Sequence, residues 1–494
     1  GSTLTTSGAI QFLPKTGSTF FDGAEDFSAI AFSGNPSSVA FGSSTNTSSI
    51  TLGSVSSAGS VIAYGGDITV SGNIDTSAVS GTGTVLLKAV DSIQLSASKS
   101  ITTNYSNVIL WADSNASGGG TITLGNGSSI NTANRVTTSG LSGGGDIVLA
   151  GGADSNSDGV PDGVAAGTSG SSVSGSGIRF GTTKSSDVKL YSGGGDITIS
   201  GSSTNTSGNW QENMGLLTYG KFLADSGTGS ISISSTSQNT YGINFVYQDN
   251  GINSSDDHLV LRSAKTSGTA ISILGTSAAS YGVVFNYNHP KKILATGGGD
   301  ISITGDGVGS YGIFLQNPSI LAAGGSISLD GTEGIIIQSA GAKFGSVDTV
   351  GSVVKSSSSD ITLTGDTLTF NATAAVDTSG ALILEPSGNS FGSTYSVSNI
   401  TLNSSATDLR IGKAANTAGV TIAQNLSISG PISVYGGDVT LNSGRSLTAG
   451  SGSDIVISAS DEFINNSGSS ALNVSGGGRW IVYAGDTSGN TYGS

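Results

Sequence analysis

Asp154-Ser-Asn156-Ser-Asp158-Gly-Val-Pro-Asp162-Gly is the run in this chain whose residue types and spacing come closest to doing chemistry. Side-chain oxygens at alternate positions turn successively inward around a hard cation, and the Gly permits the sharp bend. Asp154, Asn156, Asp158 and Asp162 are therefore candidate calcium ligands. The loop departs from a full EF-hand, because the position that supplies a bidentate Glu there is Ala165. A solvated loop of turn-forming residues is the other reading of the same run.

Asp256-Asp257-His258 is the one carboxylate pair beside a His, a set capable of acid–base work. Pectin-degrading β-helices cluster carboxylates on the outer face of their coils. The Asn-Thr-Asp and Arg-Ile-Lys motifs of polygalacturonases do not occur here, which favours a solvated loop. His289 stands alone before Pro290. With 2 His and no Cys, neither a zinc site nor a Cys nucleophile has its residues. Gly-Gly-Gly-Asp is not a phosphate cradle, because the Lys-Ser/Thr and the following helix are missing. Tyr241, Tyr281 and Tyr311 share parity with Ile243, Val283 and Ile313. That parity favours an interior ladder over a stacked sugar platform.

Composition bounds what can position these residues. Gly is 78 of 494, charged residues are 10%, and the net charge is −15. Lys291-Lys292 is the only basic cluster, so nucleic-acid binding and attraction to anionic lipid lack their patch. No apolar run approaches the roughly 18 residues of a membrane span. The absence of Cys suits a chain that crosses an oxidising compartment without being trapped by crosslinks. With Pro only 7 and Ile and Val recurring in alternating runs, the chain forms sheet with a thin core.

The strands share one signature. Gly65-Gly-Asp67-Ile-Thr-Val, Gly144-Gly-Asp146-Ile-Val-Leu, Gly194-Gly-Asp196-Ile-Thr-Ile and Gly298-Gly-Asp300-Ile-Ser-Ile alternate apolar with small polar residues. Turn chemistry precedes each: Gly at positive φ, and Asp in an Asx-turn. Ile301-Ser-Ile, Tyr311-Gly-Ile and Ile320-Leu are followed by Ile327-Ser-Leu and Gly334-Ile-Ile. The return distance is about 26 residues with three short strands per turn, the spacing of a stacked solenoid. The only short helical candidate is Asn209–Leu217. The expected fold is all-β: a right-handed parallel β-helix, three short strands per coil. Residues 1–494 are expected to form one continuous helix of roughly 20 coils, on the order of 100 Å long. Outer loops fall near 152–170, 202–218, 249–257 and 286–292.

A longer period overlies the coils. Residues 38–113 resemble 408–486, about 370 residues on. Val61-Ile-Ala-Tyr-Gly-Gly-Asp67 returns as Ile432-Ser-Val-Tyr-Gly-Gly-Asp438, and Val108-Ile-Leu-Trp-Ala-Asp113 as Trp480-Ile-Val-Tyr-Ala-Gly-Asp486.

The Gly-Gly-Asp-Ile-Thr-Ile array, the ending Gly477-Gly-Arg-Trp480-Ile-Val-Tyr-Ala-Gly-Asp486 and Ile428-Ser-Gly-Pro-Ile-Ser-Val-Tyr-Gly-Gly437 carry a family resemblance. The chain resembles the β-helical shaft of filamentous haemagglutinin-type exoproteins, which bacteria secrete by the two-partner route. The family's N-terminal secretion domain carries an Asn-Pro-Asn-Gly-type motif; Asn35-Pro36-Ser is not that motif. The resemblance implies an internal shaft segment of a large secreted or surface-displayed fibre for adhesion, cell–cell contact or biofilm, or the stalk of a contact-dependent toxin. It implies no enzyme activity and no required cofactor, with calcium the candidate ion. The implied partners are neighbouring repeats end to end and a cell-surface glycan or protein receptor. Some bacterial adhesins of this class are glycosylated at Asn-X-Ser/Thr, which occurs here at Asn46, Asn115, Asn126, Asn205 and Asn403; with Ser, Thr and Asn this abundant, such triplets also arise by chance. A carbohydrate-binding or carbohydrate-active β-helix is the competing class. It requires three or more acidic residues converging from adjacent coils.

Overall fold

The computed structural model describes residues 2–15, 18–79, 83–133, 143–167, 175–206, 213–245, 257–309, 311–339, 341–345, 359–486 and 488–493. Short parallel strands stack in register as a parallel β-helix. The chain falls into two compact units, Gly1–Lys265 with Ala270–Ala279, and Thr266–Thr269 with Ser280–Ser494.

In the first unit the leading ladder runs upward from Ala9–Phe12 through Ser38–Phe41, Val61–Gly65, Val85–Ala89 and Val108–Ala112 to Ile147–Gly151. It continues through Ile197–Ser203 and Ile231–Ser237. One column reads Val39, Val61, Val85, Val108, Ile147, Ile197, Ile231, every member buried. A second ladder stacks Ile50 on Ile68, Ile93, Ile122 and Ile178. A third stacks Val55 on Ile74, Ile101, Ile130 and Leu190. Each inward side chain contributes about 1.5–3 kcal/mol by leaving water, so a thin core is sustained by repetition.

The second unit is built alike. Ile301 sits on Ile327, Ile361, Leu382, Leu409, Ile432, Ile455 and Trp480 in turn. The expected return of about 26 residues is the Ile301–Ile327 pairing. Its second ladder ends at Leu368–Phe370, and a separate ladder starts at Tyr395–Val397 and runs to Phe463–Asn465. Among the described residues the only helix is one 3-10 turn, Gly468–Ser470. The helical candidate is not borne out: Leu216–Thr218 is a strand, and residues 209–212 lie outside the described residues. No helix among the described residues is long and apolar enough to cross a membrane.

The Gly-Gly-Asp corners work differently from the expected Asx-turn. Each Asp reaches the neighbouring coil instead of its own loop. Asp67 accepts the N–H of Ser92 at 3.1 Å, Asp146 that of Asp196 at 2.8 Å, Asp196 that of Ser230 at 2.7 Å, and Asp300 that of Ser326 at 2.7 Å. The donor at the strand's mouth has no ladder partner, and a carboxylate one coil away satisfies it. The last Gly of the corner is needed for space. A Cβ on Gly195 would overlap the carbonyl oxygen of Gly145, and one on Gly229 would overlap that of Gly195. Backbone therefore stacks on backbone.

Candidate functional site

The candidate calcium loop leaves the strand Ile147–Gly151 and folds back over the outer face of its own ladder. Trp111 Nε1 donates to the carbonyl of Gly152 at 2.7 Å. Val160 packs on an outer cluster of Ile109, Trp111, Val148 and Ala150. The strands Val108–Ala112 and Ile147–Gly151 are thus buried on both faces, which is why their sequences lose the apolar–polar alternation. Lys88 places Nζ 3.4 Å from the Trp111 ring centroid. Burial lowers its pKa, against the pull of Asp154.

Within the loop the acids are occupied by backbone. Asp154 accepts from the N–H of Asp158 at 3.1 Å and of Gly159 at 3.0 Å. Asn156 Oδ1 accepts from Asp158 at 2.9 Å, and Asp158 from Val160 at 2.8 Å. Asp162 Oδ2 accepts from Ser155 at 2.7 Å and Asn156 at 3.2 Å. The four candidate ligands share one loop, yet their oxygens face amides. Among the described residues no group of three or more His, Cys, Asp or Glu is placed to hold a metal ion. Calcium would need six or more oxygens turned toward one point.

Of the acid–base candidate, Asp256 lies outside the described residues. His258 is buried in the turn before Leu259–Ser263, and its carbonyl accepts the Phe222 N–H at 2.9 Å. His289 is buried beside Lys291, which the sequence offers only as half of a basic pair. Lys291 Nζ donates to the carbonyls of Tyr287, His289 and Gln316 at 2.5, 2.7 and 3.1 Å. Burial brings its pKa down to about 7. The available signal was parity: Lys291 alternates in phase with the inward Ile293 and Ala295.

The tyrosines are not an interior ladder. Tyr241 packs against the outer cluster of Met214, Leu217 and Tyr219. In the second unit the Tyr281 ring lies 5.4 Å from that of Phe314, and the Tyr311 hydroxyl lies 3.3 Å from Thr369 Oγ1. Phe314 and Thr369 are the outward residues of Ile313–Leu315 and Leu368–Phe370. A Gly between each Tyr and its strand bends the chain, so strand parity does not extend back to the Tyr.

Carboxylates from adjacent coils do stack at one corner. The pKa of Asp91 is raised by burial and by the charges of Asp67 and Asp113. Asp67 is bound to the Ser92 N–H at 3.1 Å and Asp113 to those of Ser117 and Gly118 at 2.9 and 3.1 Å.

The sequon residue Asn46 is buried. Its Oδ1 accepts from Phe21 N–H at 3.1 Å, and its Nδ2 donates to the carbonyls of Ser48 and Tyr64 at 3.1 and 2.8 Å. That leaves no amide for a glycan. Asn416 repeats the node. Its Oδ1 accepts from Phe391 at 3.1 Å, and its Nδ2 donates to Ala418 and Tyr435 at 3.3 and 2.8 Å. The long period is therefore a repeat of hydrogen bonds as well as of letters.

The chain matches no family model, no curated protein and no solved structure.

Proposed function

We propose that this chain is a non-enzymatic structural segment of a large bacterial fibre, secreted or displayed at the cell surface, of the filamentous haemagglutinin-like kind. The observation that carries the reading is the recurrence of one hydrogen-bonded node, Asn46 and Asn416, on ladders of matching register. Such an array sets a distance and resists extension, because each coil is completed by its neighbours. The titratable candidates support a structural role. His258, His289 and Lys291 are buried, and the acids of the 152–163 loop, like Asp67 and Asp113 of the stacked carboxylates, hold backbone amides. Adhesion, cell–cell contact or biofilm formation is the service such a spacer performs, with a glycan or protein receptor bound elsewhere on the fibre.

The test is labelling of intact producing cells with an antibody raised against residues 152–163, an outer loop. Labelling without permeabilisation is expected. Signal only after lysis overturns the reading.

A further inference from the structure

The third ladder is interrupted at the same place in each copy of the long repeat. Ile30–Ser33 pairs with Ser2–Thr5 below it, Val55–Ser56 pairs with Ile74–Asp75 above it, and the two do not pair with each other. In the second unit Ile400–Leu402 pairs with Ala374–Asp377, Leu426–Ser427 pairs with Leu447–Ser451, and the same rung is missing. On their other two sides the coils of the first break do pair, Ala9–Phe12 with Ser38–Phe41 and Glu25–Phe27 with Ile50–Leu52. Those coils are therefore held about 4.8 Å apart, and the break between them is a slot for a flat side chain rather than for a whole strand.

The two copies treat the slot differently. Ala374 N–H donates to Asn399 O at 2.9 Å, so Ile400 turns its own N–H and carbonyl to the break. Gln424 fills it: Oε1 accepts the Ile400 N–H at 3.0 Å, and Nε2 donates to the Ile400 carbonyl at 2.6 Å. One side chain replaces the missing rung. In the first copy Thr6 N–H donates to Ser33 O at 3.1 Å, so Ile30 likewise turns its N–H and carbonyl to the break. Gly53-Ser54 stands there in place of Ala423-Gln424-Asn425, one residue shorter and with no side-chain amide. Ser54 Oγ accepts the Asn73 N–H at 3.3 Å, which turns it toward the coil above. The slot opens outward as a recess of about 460 Å³, lined by Ile30, Phe32, Ser54, Ser56, Asn73 and Asp75.

We propose that the first slot binds the side-chain carboxamide of a Gln or Asn presented by a partner protein, held at Ile30 as Gln424 is held at Ile400. The N–H and C=O of one residue ask for an acceptor and a donor side by side in one plane, and a primary carboxamide has both. A carboxylate would set an oxygen against the Ile30 carbonyl, and a guanidinium or ammonium would leave the Ile30 N–H unpaired. A trans peptide group, or the acetamide of an amino sugar, carries its N–H and C=O on opposite sides, so neither reaches both. Chain closes the slot above and below, and all of its lining residues belong to the first unit. It holds whether or not the chain is part of a fibre. A single contact of this kind is weak, but in an array each unplugged period adds one site, and the sites gain by avidity. Gln424 then marks a period whose site is closed from within.

The experiment is NMR of the 494-residue protein, isotope-labelled at its isoleucine amides. The probes are the tripeptide Ala-Gln-Ala, acetylated and N-methylamidated, and the same peptide with Glu for Gln, each at neutral pH. Two neutral hydrogen bonds set a dissociation constant on the order of 10 mM. With the Gln probe the Ile30 amide signal is expected to shift and saturate while the Ile400 signal stays still, and the Glu probe is expected to move neither. Gln424→Ala unplugs the second slot, and the Ile400 signal is then expected to respond to the Gln probe as Ile30 does. The remaining isoleucine signals check the fold, and Gln424→Ser replaces the Ala variant if it fails to fold. An Ile30 signal that does not shift, or that shifts alike with both probes, overturns the proposal without need of any variant. An Ile400 signal that stays silent in the folded, unplugged variant overturns it too. The shaft reading stands in every case, since it falls only to the labelling experiment.

Discussion

Residues 38–113 and 408–486 carry the same backbone plan with different protection. Both have the buried Asn node and the Gly at positive φ that precedes it, Gly42 at 74° and Gly412 at 80°. Both stack three ladders in the same order. The first copy is sealed on its outer face by the 152–163 loop, with Lys88 against Trp111. The second has Ser458 and Tyr483 at those places and no described cover. Where the second places Glu385, bound to Arg410 at 2.7 Å with Lys413 at 3.7 Å, the first has Leu13, Ala40 and Ser43. The node and the ladders define the coil, while the outer face is free to vary.

That division can be tested from its strongest effect downward. Leu110→Ala empties a wholly buried site and is expected to cost about 3 kcal/mol. Its counterpart Val482→Ala, on the free edge, is expected to cost less than about 1 kcal/mol. Urea unfolding of the two variants measures the gap, and equal losses would show that the last strand is covered after all.

Asn46→Ala and Asn416→Ala each leave buried backbone groups unpaired and are expected to cost about 2 kcal/mol. If chemical denaturation shows losses that differ by more than about 1 kcal/mol, the two nodes are not equivalent.

A pH scan separates the copies from the stretch between them, where Lys291 lies. The unfolded chain holds the Lys291 proton with an ordinary pKa of 10.5 and the folded chain with one of about 7. Stability therefore rises with pH across that window and falls as pH drops through it. Three carbonyl hydrogen bonds favour the charged form, so the rise is smaller than burial alone would give. Lys291→Met should remove it; an unchanged slope in thermal melts would assign the pH dependence elsewhere.

The smallest effect belongs to the surface. Glu385→Leu, which imports the first copy's residue, breaks a partly exposed ion pair and is expected to change stability by less than about 1 kcal/mol. A larger loss in denaturation would make that ion pair part of the common plan.

The strands, their return distance and the long repeat were legible because period-2 alternation reports which residues face inward, and coils must return at a fixed spacing. Gly65-Gly-Asp67-Ile-Thr-Val could be read as corner and strand, but its Asp binds Ser92, 25 residues away, which local turn rules do not reveal. Tyr281 and Tyr311 were misplaced because a Gly resets the parity that placed them. Trp111 looked like one more strand residue, and only the loop closing over it shows an outer core. Lys291 was hidden because burying a cation depends on carbonyls contributed by a different coil. The 152–163 loop was found by its letters, whereas the direction of its oxygens is a property of the fold.

The matched nodes also bear on how such a gene changes length. Val61 and Ile432 lie about 370 residues apart, and each sits on a ladder with the same neighbours above and below. A crossover between the coding segments of the two copies joins the lower half of one to the upper half of the other. Every strand then lands on the partner type it already had, with the Asn node intact at the seam. Unequal recombination can in this way shorten or lengthen the array by one whole period without passing through a misfolded product.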